Sequence, residues 1–317
     1  MKIVTIGGGT GSPIIIKALI GAGFENITAI CAAMDSGGKT GIIRSDERDK
    51  VIAVSDLLRN LLAMIPKNHS AFAEMLNFVD GRNRNLGYTI YYALLEKYNN
   101  NFLAVQNHFE RLLGIKFLGQ AIPISLDPTQ IKFKTISDEV WSGEHELDRQ
   151  AMSANNVIKM WIEPQVKATK ESLIAIKNAD FIIYTPGSLY GSILVNFLPA
   201  GVKQALKETK AQKILITNLT SNRNQTHNYG SDDYLKIFQE YTGLKKPFDI
   251  LIAPNLSRQE FEKKYPKITK AYAREHSHFL GWGNGYDVWT VTNEFNRLRH
   301  DPLKLSKIFK HIIVAHN

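Results

Sequence analysis

The 317-residue sequence has only one cysteine, Cys31, so a single chain can form no internal disulfide bond, cysteine-based metal site or redox pair. No apolar run approaches the roughly 20 residues that a membrane-spanning helix needs. Residues 1–6 also lack the charged start and the long apolar stretch of a signal peptide. These absences predict a cytoplasmic protein without a membrane span.

The chain also lacks any dense run of one charge sign, since its 39 Lys and Arg and its 30 Asp and Glu are scattered. The net charge of +9 still predicts an anionic partner, such as a nucleotide, a phosphosugar, nucleic acid or an acidic lipid surface. Only this overall charge supports nucleic acid as the partner. Because a length of 317 residues suits one large domain, or one domain with an insertion, residues 1–317 are expected to form one domain.

A glycine-rich turn follows the first apolar segment of the chain. Residues 2–6 predict a buried strand, residues 7–11 read Gly-Gly-Gly-Thr-Gly, and residues 13–22 carry apolar side chains at helical spacing. Glycines allow the backbone to lie against a ligand, and amides at a helix N-terminus attract phosphate. The dinucleotide fingerprint is incomplete because position 12 is Ser, and no Lys follows to make a Walker-type loop. The turn therefore predicts a phosphate-binding site that is neither a complete dinucleotide fingerprint nor a Walker-type loop.

Three more segments predict side chains at the same edge of the sheet. A second glycine loop, residues 35–41, follows a predicted strand over 28–33, and a third turn at 186–188 follows a predicted strand over 179–184. A predicted helix over 46–64 carries an acid, a guanidinium and an amide within one turn. Since ligands bind where the carboxyl ends of parallel strands meet, one shared crevice is expected.

The predicted elements alternate between strand and helix, which indicates an α/β fold: a Rossmann-like, mostly parallel, doubly wound sheet. Helices are expected over 70–79, 86–98 and 102–113. Short alternating segments within 120–150 predict antiparallel strands, and these are interpreted as a small antiparallel β insertion.

With these motifs collected, the chain resembles the YvcK/CofD-like family, and the gluconeogenesis factor (YvcK) branch more than the 2-phospho-L-lactate transferase branch. The matching segments are residues 7–12, 35–41, 56–61, 186–194 and 299–302. The run Pro-Gly-Ser-Leu-Tyr at 186–190 is the most specific of them. Departures from the family pattern are Ser36 for an acid, Lys39 for a Ser, Ser55 for a Gly, and Asn-Gln-Thr at 224–226 for Gly-Glu-Thr.

The resemblance implies a cytoplasmic protein that binds a nucleotide-sugar, UDP-sugars in this branch, with a regulatory role in carbon metabolism, cell-wall supply and cell shape. The alternative is a transferase that moves a phosphoryl-linked group from a nucleotide donor, and only this enzyme would require Mg²⁺, held with the help of Asp35 and Asp56. Ser36 stands against it. An NAD-dependent dehydrogenase and a nonspecific nucleic-acid binder rank below both. Apart from Asp35 and Asp56 in this alternative, no metal ligand is predicted, and no catalytic residue is predicted. Homo-oligomerisation is left open.

The residues expected to bind the nucleotide or its phosphates share small size, amide donors or charge at the predicted crevice. Arg299 joins them because an Arg just before a final helix over 302–315 is poorly placed for the helix dipole and well suited to phosphate. The full set is Gly8, Gly9, Thr10, Gly11, Ser12, Asp35, Gly37, Gly38, Lys39, Asp56, Arg59, Asn60, Pro186, Gly187, Ser188, Asn218 and Arg299.

Overall fold

The computed structural model of the protein describes residues 1–34, 54–81, 85–148, 155–222, 224–227, 229–255, 257–267, 285–292 and 297–314. Four predicted site residues, Asp35, Gly37, Gly38 and Lys39, lie outside the described residues.

The strands, numbered in chain order, are β1 (Ile3–Ile6), β2 (Ile27–Cys31), β3 (Gly119–Pro123), β4 (Gln130–Thr135), β5 (Val140–Ser142), β6 (Val157–Glu163), β7 (Phe181–Tyr184), β8 (Gln212–Ile216), β9 (Ile250–Ile252), β10 (Trp289–Thr292) and β11 (Arg297–His300). The α-helices are α1 (Gly11–Gly21), α2 (Ser55–Ala63), α3 (Ser70–Asn77), α4 (Leu86–Lys97), α5 (Phe102–Leu113), α6 (Lys170–Lys177), α7 (Val202–Glu208), α8 (Ser231–Thr242), α9 (Arg258–Lys264) and α10 (Pro302–Val314). A π-helical turn, Leu189–Ile193, and 3₁₀ segments at Glu144–Asp148 and Leu194–Phe197 complete the elements that surround the site.

The central sheet has six strands in the order β3-β2-β1-β7-β8-β9, and every neighbouring pair is parallel. The chain builds outward from β1 to β3, then returns to the other side of β1 with β7 and builds outward again. This doubly wound order confirms the predicted α/β, Rossmann-like fold. The reversal places the topological switch point between β1 and β7, where ligands bind in such sheets.

The innermost strands are apolar because both of their faces are covered. All four residues of β1 and all four of β7 are buried, as parallel strands between two helical layers require. Helix α1 packs against α2 and α10, which brings the last helix of the chain onto the first. In the described part of the chain, no helix is long and apolar enough to cross a membrane.

A separate antiparallel sheet has the order β5-β4-β6. The prediction of antiparallel strands within 120–150 is wrong for the first of these segments, because β3 is a parallel strand of the central sheet that pairs with β2. A short buried apolar run has no hydrophobic periodicity that distinguishes a parallel strand from an antiparallel one. The partner strand of β3 also lies about 90 residues earlier in the chain. Strand β6, beyond residue 150, belongs to the antiparallel sheet instead.

Candidate functional site

The two glycine turns after β1 and β7 touch each other at the switch point. Ile6 pairs with Tyr184 at the ends of these strands, so the turns start side by side. A Cβ atom on Gly11 would lie 2.0 Å from the carbonyl oxygen of Pro186, and one on Gly187 would lie 3.2 Å from that of Gly8. The backbones approach so closely that only glycine fits at position 11. The two turns therefore lie against each other at the switch point, and that they share one crevice and bind phosphate stays a prediction.

Helix α2 carries Asp56 to the first of these turns. The Gly9 amide donates to Asp56 Oδ2 at 2.9 Å, and Arg59 Nη1 donates to Asp56 Oδ1 at 2.9 Å. A Cβ atom on Gly8 would lie 2.0 Å from the same Oδ2, so this glycine leaves the space that the carboxylate fills. Asp56 and Arg59 thus reach this turn as an ion pair, and the Gly9 amide is already occupied by a carboxylate.

The amides that remain for an anion lie at the start of α1. The helix begins at Gly11, Thr10 is its N-cap without a side-chain hydrogen bond, and its first turn holds no acidic residue. The amides of Gly11 and Ser12 have no helical carbonyl to bond, because the first four N–H groups of a helix never do. Pro13 has no N–H at all, so it takes no part. The phosphate site predicted at this turn therefore narrows to the amides of residues 10–12.

Asn60 lies deeper than its neighbour on α2. It is only 1% exposed, and its side chain hydrogen-bonds to the Cys31 thiol. It lies beside the Cys31 thiol, whose pKa is raised well above its usual value by burial and by the charge of Asp56, an effect that Asn60 partly offsets. The thiol is thus kept protonated and unreactive.

Asn218, just after β8, holds the second turn in place. Its side chain accepts from the Gly187 amide and donates to the Gly187 carbonyl, both at 2.8 Å. This reciprocal pair ties the end of β8 to the turn after β7. Asn218 therefore orders the turn, and the Gly187 amide already has a hydrogen-bond partner. The phosphate contact predicted for Gly187 would require this hydrogen bond to break.

The Ser188 hydroxyl is held by a residue that the sequence reasoning missed. It donates to Gln225 Oε1 at 2.8 Å and accepts from the Gly191 amide at 3.1 Å. The same Gln225 oxygen accepts from the Tyr190 amide at 3.2 Å. Gln225 stands where the family pattern has Glu, and this substitution is the signal that could have identified it. The Ser188 hydroxyl donates to the side-chain carbonyl oxygen of Gln225, which is not a base. Ser188 therefore stabilises the turn and is not an activated nucleophile.

Two further residues at the turns were not predicted. The Ser192 Cβ lies 3.5 Å from where a Cβ of Gly8 would be, and it belongs to the motif segment 186–194 that could have identified it. Glu144 arrives from the antiparallel sheet, and its Oε1 lies 2.8 Å from where a Cβ of Gly191 would be. No local pattern around Glu144 indicates this contact, because it depends on how the two sheets pack.

Arg299 lies on β11 and precedes α10, which begins at Pro302 as expected; that this segment is a strand was not predicted. It pairs with Thr290 in the β10–β11 hairpin, and its side chain is half-buried. The next residue, His300, is buried and donates through Nε2 to the Thr217 carbonyl at 3.1 Å. This bond brings the hairpin to the carboxyl end of β8, one residue before Asn218. Successive side chains of a strand point to opposite faces, so Arg299 leaves the hairpin on the face opposite His300.

These features define a doubly wound, Rossmann-like protein with two touching glycine turns at its switch point. A family model described as "2-phospho-L-lactate transferase CofD" matches residues 3–280, and the chain belongs to that family. It is 31% identical to the "Gluconeogenesis factor" of Listeria innocua over 76% of this chain and 74% of that protein. It is 25% identical to the "Gluconeogenesis factor" of Halalkalibacterium halodurans over 96% and 94% of the two chains.

Solved structures support the same fold. A crystal structure of a Bacillus halodurans protein has a TM-score of 0.82 at 22% identity and covers 97% of this chain and 98% of its own. A second structure, described as a member of the UPF0052 family from the same organism, has a TM-score of 0.81 at 22% identity over the same shares. At this identity the likeness shows the fold alone.

Proposed function

We propose that this protein is a cytoplasmic binder of a nucleotide-sugar, a UDP-sugar, with a regulatory role in carbon metabolism, cell-wall supply and cell shape. The observation that carries the binding proposal is the contact between the two glycine turns at the switch point, with the amides of residues 10–12 at a helix start. The regulatory part rests on family membership and on the printed name of the relatives, "Gluconeogenesis factor". The single buried cysteine is in keeping with a reducing compartment.

A thermal-shift comparison of UDP-sugars, UDP, GDP, NAD and ADP tests the ligand class. A ligand at a hundred times its dissociation constant adds about 2.7 kcal/mol of stability, so the preferred class stands out in the melting temperature. Stabilisation by UDP-sugars above the other nucleotides is the expected result. Stabilisation by GDP alone would favour the transferase, and no stabilisation by any of them would refute nucleotide binding.

The transferase is the second candidate because of the description that the family model prints. The described residues fit its Mg²⁺ poorly. Both Asp56 oxygens accept bonds from protein donors, and within the described ranges no three His, Cys, Asp or Glu side chains converge. The other predicted acid, Asp35, lies outside those ranges.

Replacing Arg59 with alanine is expected to weaken UDP-sugar binding at least tenfold, about 1.4 kcal/mol. Without the guanidinium, the Asp56 carboxylate at Gly9 is no longer balanced and repels the ligand's phosphates. The loss in unfolding free energy should stay below about 1 kcal/mol, because Arg59 is 36% exposed and such ion pairs stabilise little. Calorimetric titration measures the affinity, and the exposed Arg111→Ala serves as the matched control. An unchanged dissociation constant would remove Arg59 from the site.

Replacing Arg299 with alanine is also expected to lower the affinity for the ligand's phosphates and to leave the fold intact. The prediction rests on the matching segment 299–302 and on the suitability of a guanidinium for phosphate. Calorimetric titration of both proteins with the same UDP-sugar decides the question. Equal dissociation constants would assign Arg299 to the protein surface.

A further inference from the structure

The C-terminal segment, residues 297–314, is anchored to the carboxyl end of β8. His300, the last residue of β11, is buried, and its Nε2 donates to the Thr217 carbonyl at 3.1 Å. Because a carbonyl oxygen can only accept, this ring nitrogen carries the proton. The Asp301 amide donates to the Val288 carbonyl at 2.7 Å, which fixes the end of β11 beside the start of β10. His300 thus joins the last hairpin of the chain to the central sheet.

The Thr217 carbonyl belongs to the same peptide group as the nitrogen of Asn218. Because a peptide group is planar, a bond that fixes this carbonyl also fixes the direction in which Asn218 leaves β8. Asn218 holds the second glycine turn through its two 2.8 Å bonds to Gly187. A Cβ atom on Gly187 would lie 3.2 Å from the Gly8 carbonyl oxygen, which belongs to the first turn. A continuous series of contacts therefore runs from His300 to the first turn.

The other half of the C-terminal segment supports the first turn from the opposite end of α1. Helix α10 packs against α1, and the Ser306 Oγ lies 3.4 Å from where a Cβ of Gly21, the last residue of α1, would be. Helix α1 begins at Gly11, so the helix that α10 holds at its far end presents the amides of residues 10–12. The C-terminal segment therefore supports both glycine turns.

Packing alone does not require a histidine at position 300. An apolar side chain of similar size would fill the same buried space without the cost of burying a polar ring. What the imidazole adds is a hydrogen-bond donor for the Thr217 carbonyl, and Thr217 is itself only 1% exposed. The bond therefore orients the peptide group that leads to Asn218, which an apolar side chain could not do.

We propose that His300 is a positioning residue for the ligand site: through the peptide group of Thr217 and Asn218, it holds the second glycine turn against the first. The inference rests on the proposed function, since it names a residue that orders the same site without touching the ligand. The phosphate binds at the amides of residues 10–12 while the bonds between Asn218 and Gly187 stay closed. A turn that is already ordered loses less conformational entropy on binding, so the His300 bond raises the affinity. By reciprocity, a bound ligand stabilises the docking of the C-terminal segment on β8.

The first test needs no ligand and measures hydrogen exchange at the Gly187 amide by NMR in wild type, His300→Leu and His300→Gln. His300→Leu fills the space without a donor, so exchange at Gly187 should become about tenfold faster relative to exchange at the Ile30 amide in strand β2. His300→Gln keeps a donor and should restore the wild-type ratio of the two rates. His300→Ala also removes the donor and takes the place of the leucine variant if that variant does not fold.

His311→Ala is the matched control, because His311 is an exposed histidine of the same C-terminal segment. Its ratio of exchange rates should equal that of wild type. An unchanged ratio in the variants without a donor overturns the inference. So does an equal rise at Gly187 and Ile30, which would mean that His300 only stabilises the fold as a whole.

The second test asks whether the effect passes through Asn218 and reaches the ligand. In an Asn218→Ala background, His300→Leu should no longer change the exchange at Gly187, because the connection is already cut; a further rise would contradict the proposed route. Calorimetric titration with UDP-glucose should show about tenfold weaker binding for His300→Leu and wild-type affinity for His300→Gln. Unchanged affinity in a variant whose Gly187 exchange has risen overturns the positioning role. Failure of the proposed function is distinguishable, since wild type would then bind no UDP-sugar while the effect on exchange would remain.

Discussion

Gly11→Ala is expected to lower the free energy of unfolding by about 3 kcal/mol, the upper end of what an inserted methyl group costs in a packed region. The new Cβ would lie 2.0 Å from the Pro186 oxygen and 2.8 Å from its carbonyl carbon, so backbone must move. The movement separates the two glycine turns, and ligand binding should be lost with the stability. Urea denaturation followed by circular dichroism measures the change in unfolding free energy.

Gly81→Ala is the matched control, because no atom of the described residues lies within 4 Å of a Cβ at that position. Its stability should stay within about 0.5 kcal/mol of wild type, as for most surface substitutions. Gly8→Ala should cost less than Gly11→Ala, because its Cβ meets the end of the Asp56 side chain, which can rotate away. Equal midpoints for Gly11→Ala and wild type would show that the turns can move apart without cost, contrary to their close packing.

The parts of the fold that the sequence predicts are those encoded by local patterns. Helix α5 begins at Phe102 and ends at Leu113 as expected, because Asn101 caps it and Gly114 ends it in the left-handed conformation. The strand–glycine–helix pattern after β1 likewise needs no partner to be recognised. That the two glycine turns lie side by side could be predicted for the same reason, since parallel strands place their carboxyl ends at one edge.

The parts that the sequence does not predict depend on contacts between distant segments. Strand β3 is parallel because it pairs with β2, and β11 is a strand because β10 lies beside it. The contact of Asp56 with Gly9 spans 47 residues and occupies an amide that the turn alone offers to phosphate. Glu144 reaches Gly191 only because β6 is bonded to Tyr190 and Tyr241. Such contacts are set by packing, for which no residue pattern is diagnostic.

The carboxyl end of β8 is where three separated segments meet. Thr217 accepts from His300, and the next residue, Asn218, holds Gly187. The hairpin that carries Arg299 is thus linked to the second glycine turn through two adjacent residues. His300 is neutral in this position, because burial lowers its pKa to about 4; the bond to the Thr217 carbonyl opposes the shift and the charge of Arg299 adds to it.

Acidification is therefore expected to destabilise the protein through His300. The unfolded chain takes up a proton near pH 6.5 and the folded protein only near pH 4, so stability falls as the pH drops through this window. At about 1.4 kcal/mol for each pKa unit, the loss reaches about 3 kcal/mol at pH 4. Other groups titrate in the same range. The variant His300→Gln separates their contribution from that of His300, because Gln can still donate to the Thr217 carbonyl but does not titrate. Urea denaturation of both proteins between pH 7 and pH 4 should show a loss about 3 kcal/mol larger in wild type; parallel pH profiles would mean that His300 is protonated at no cost in the fold.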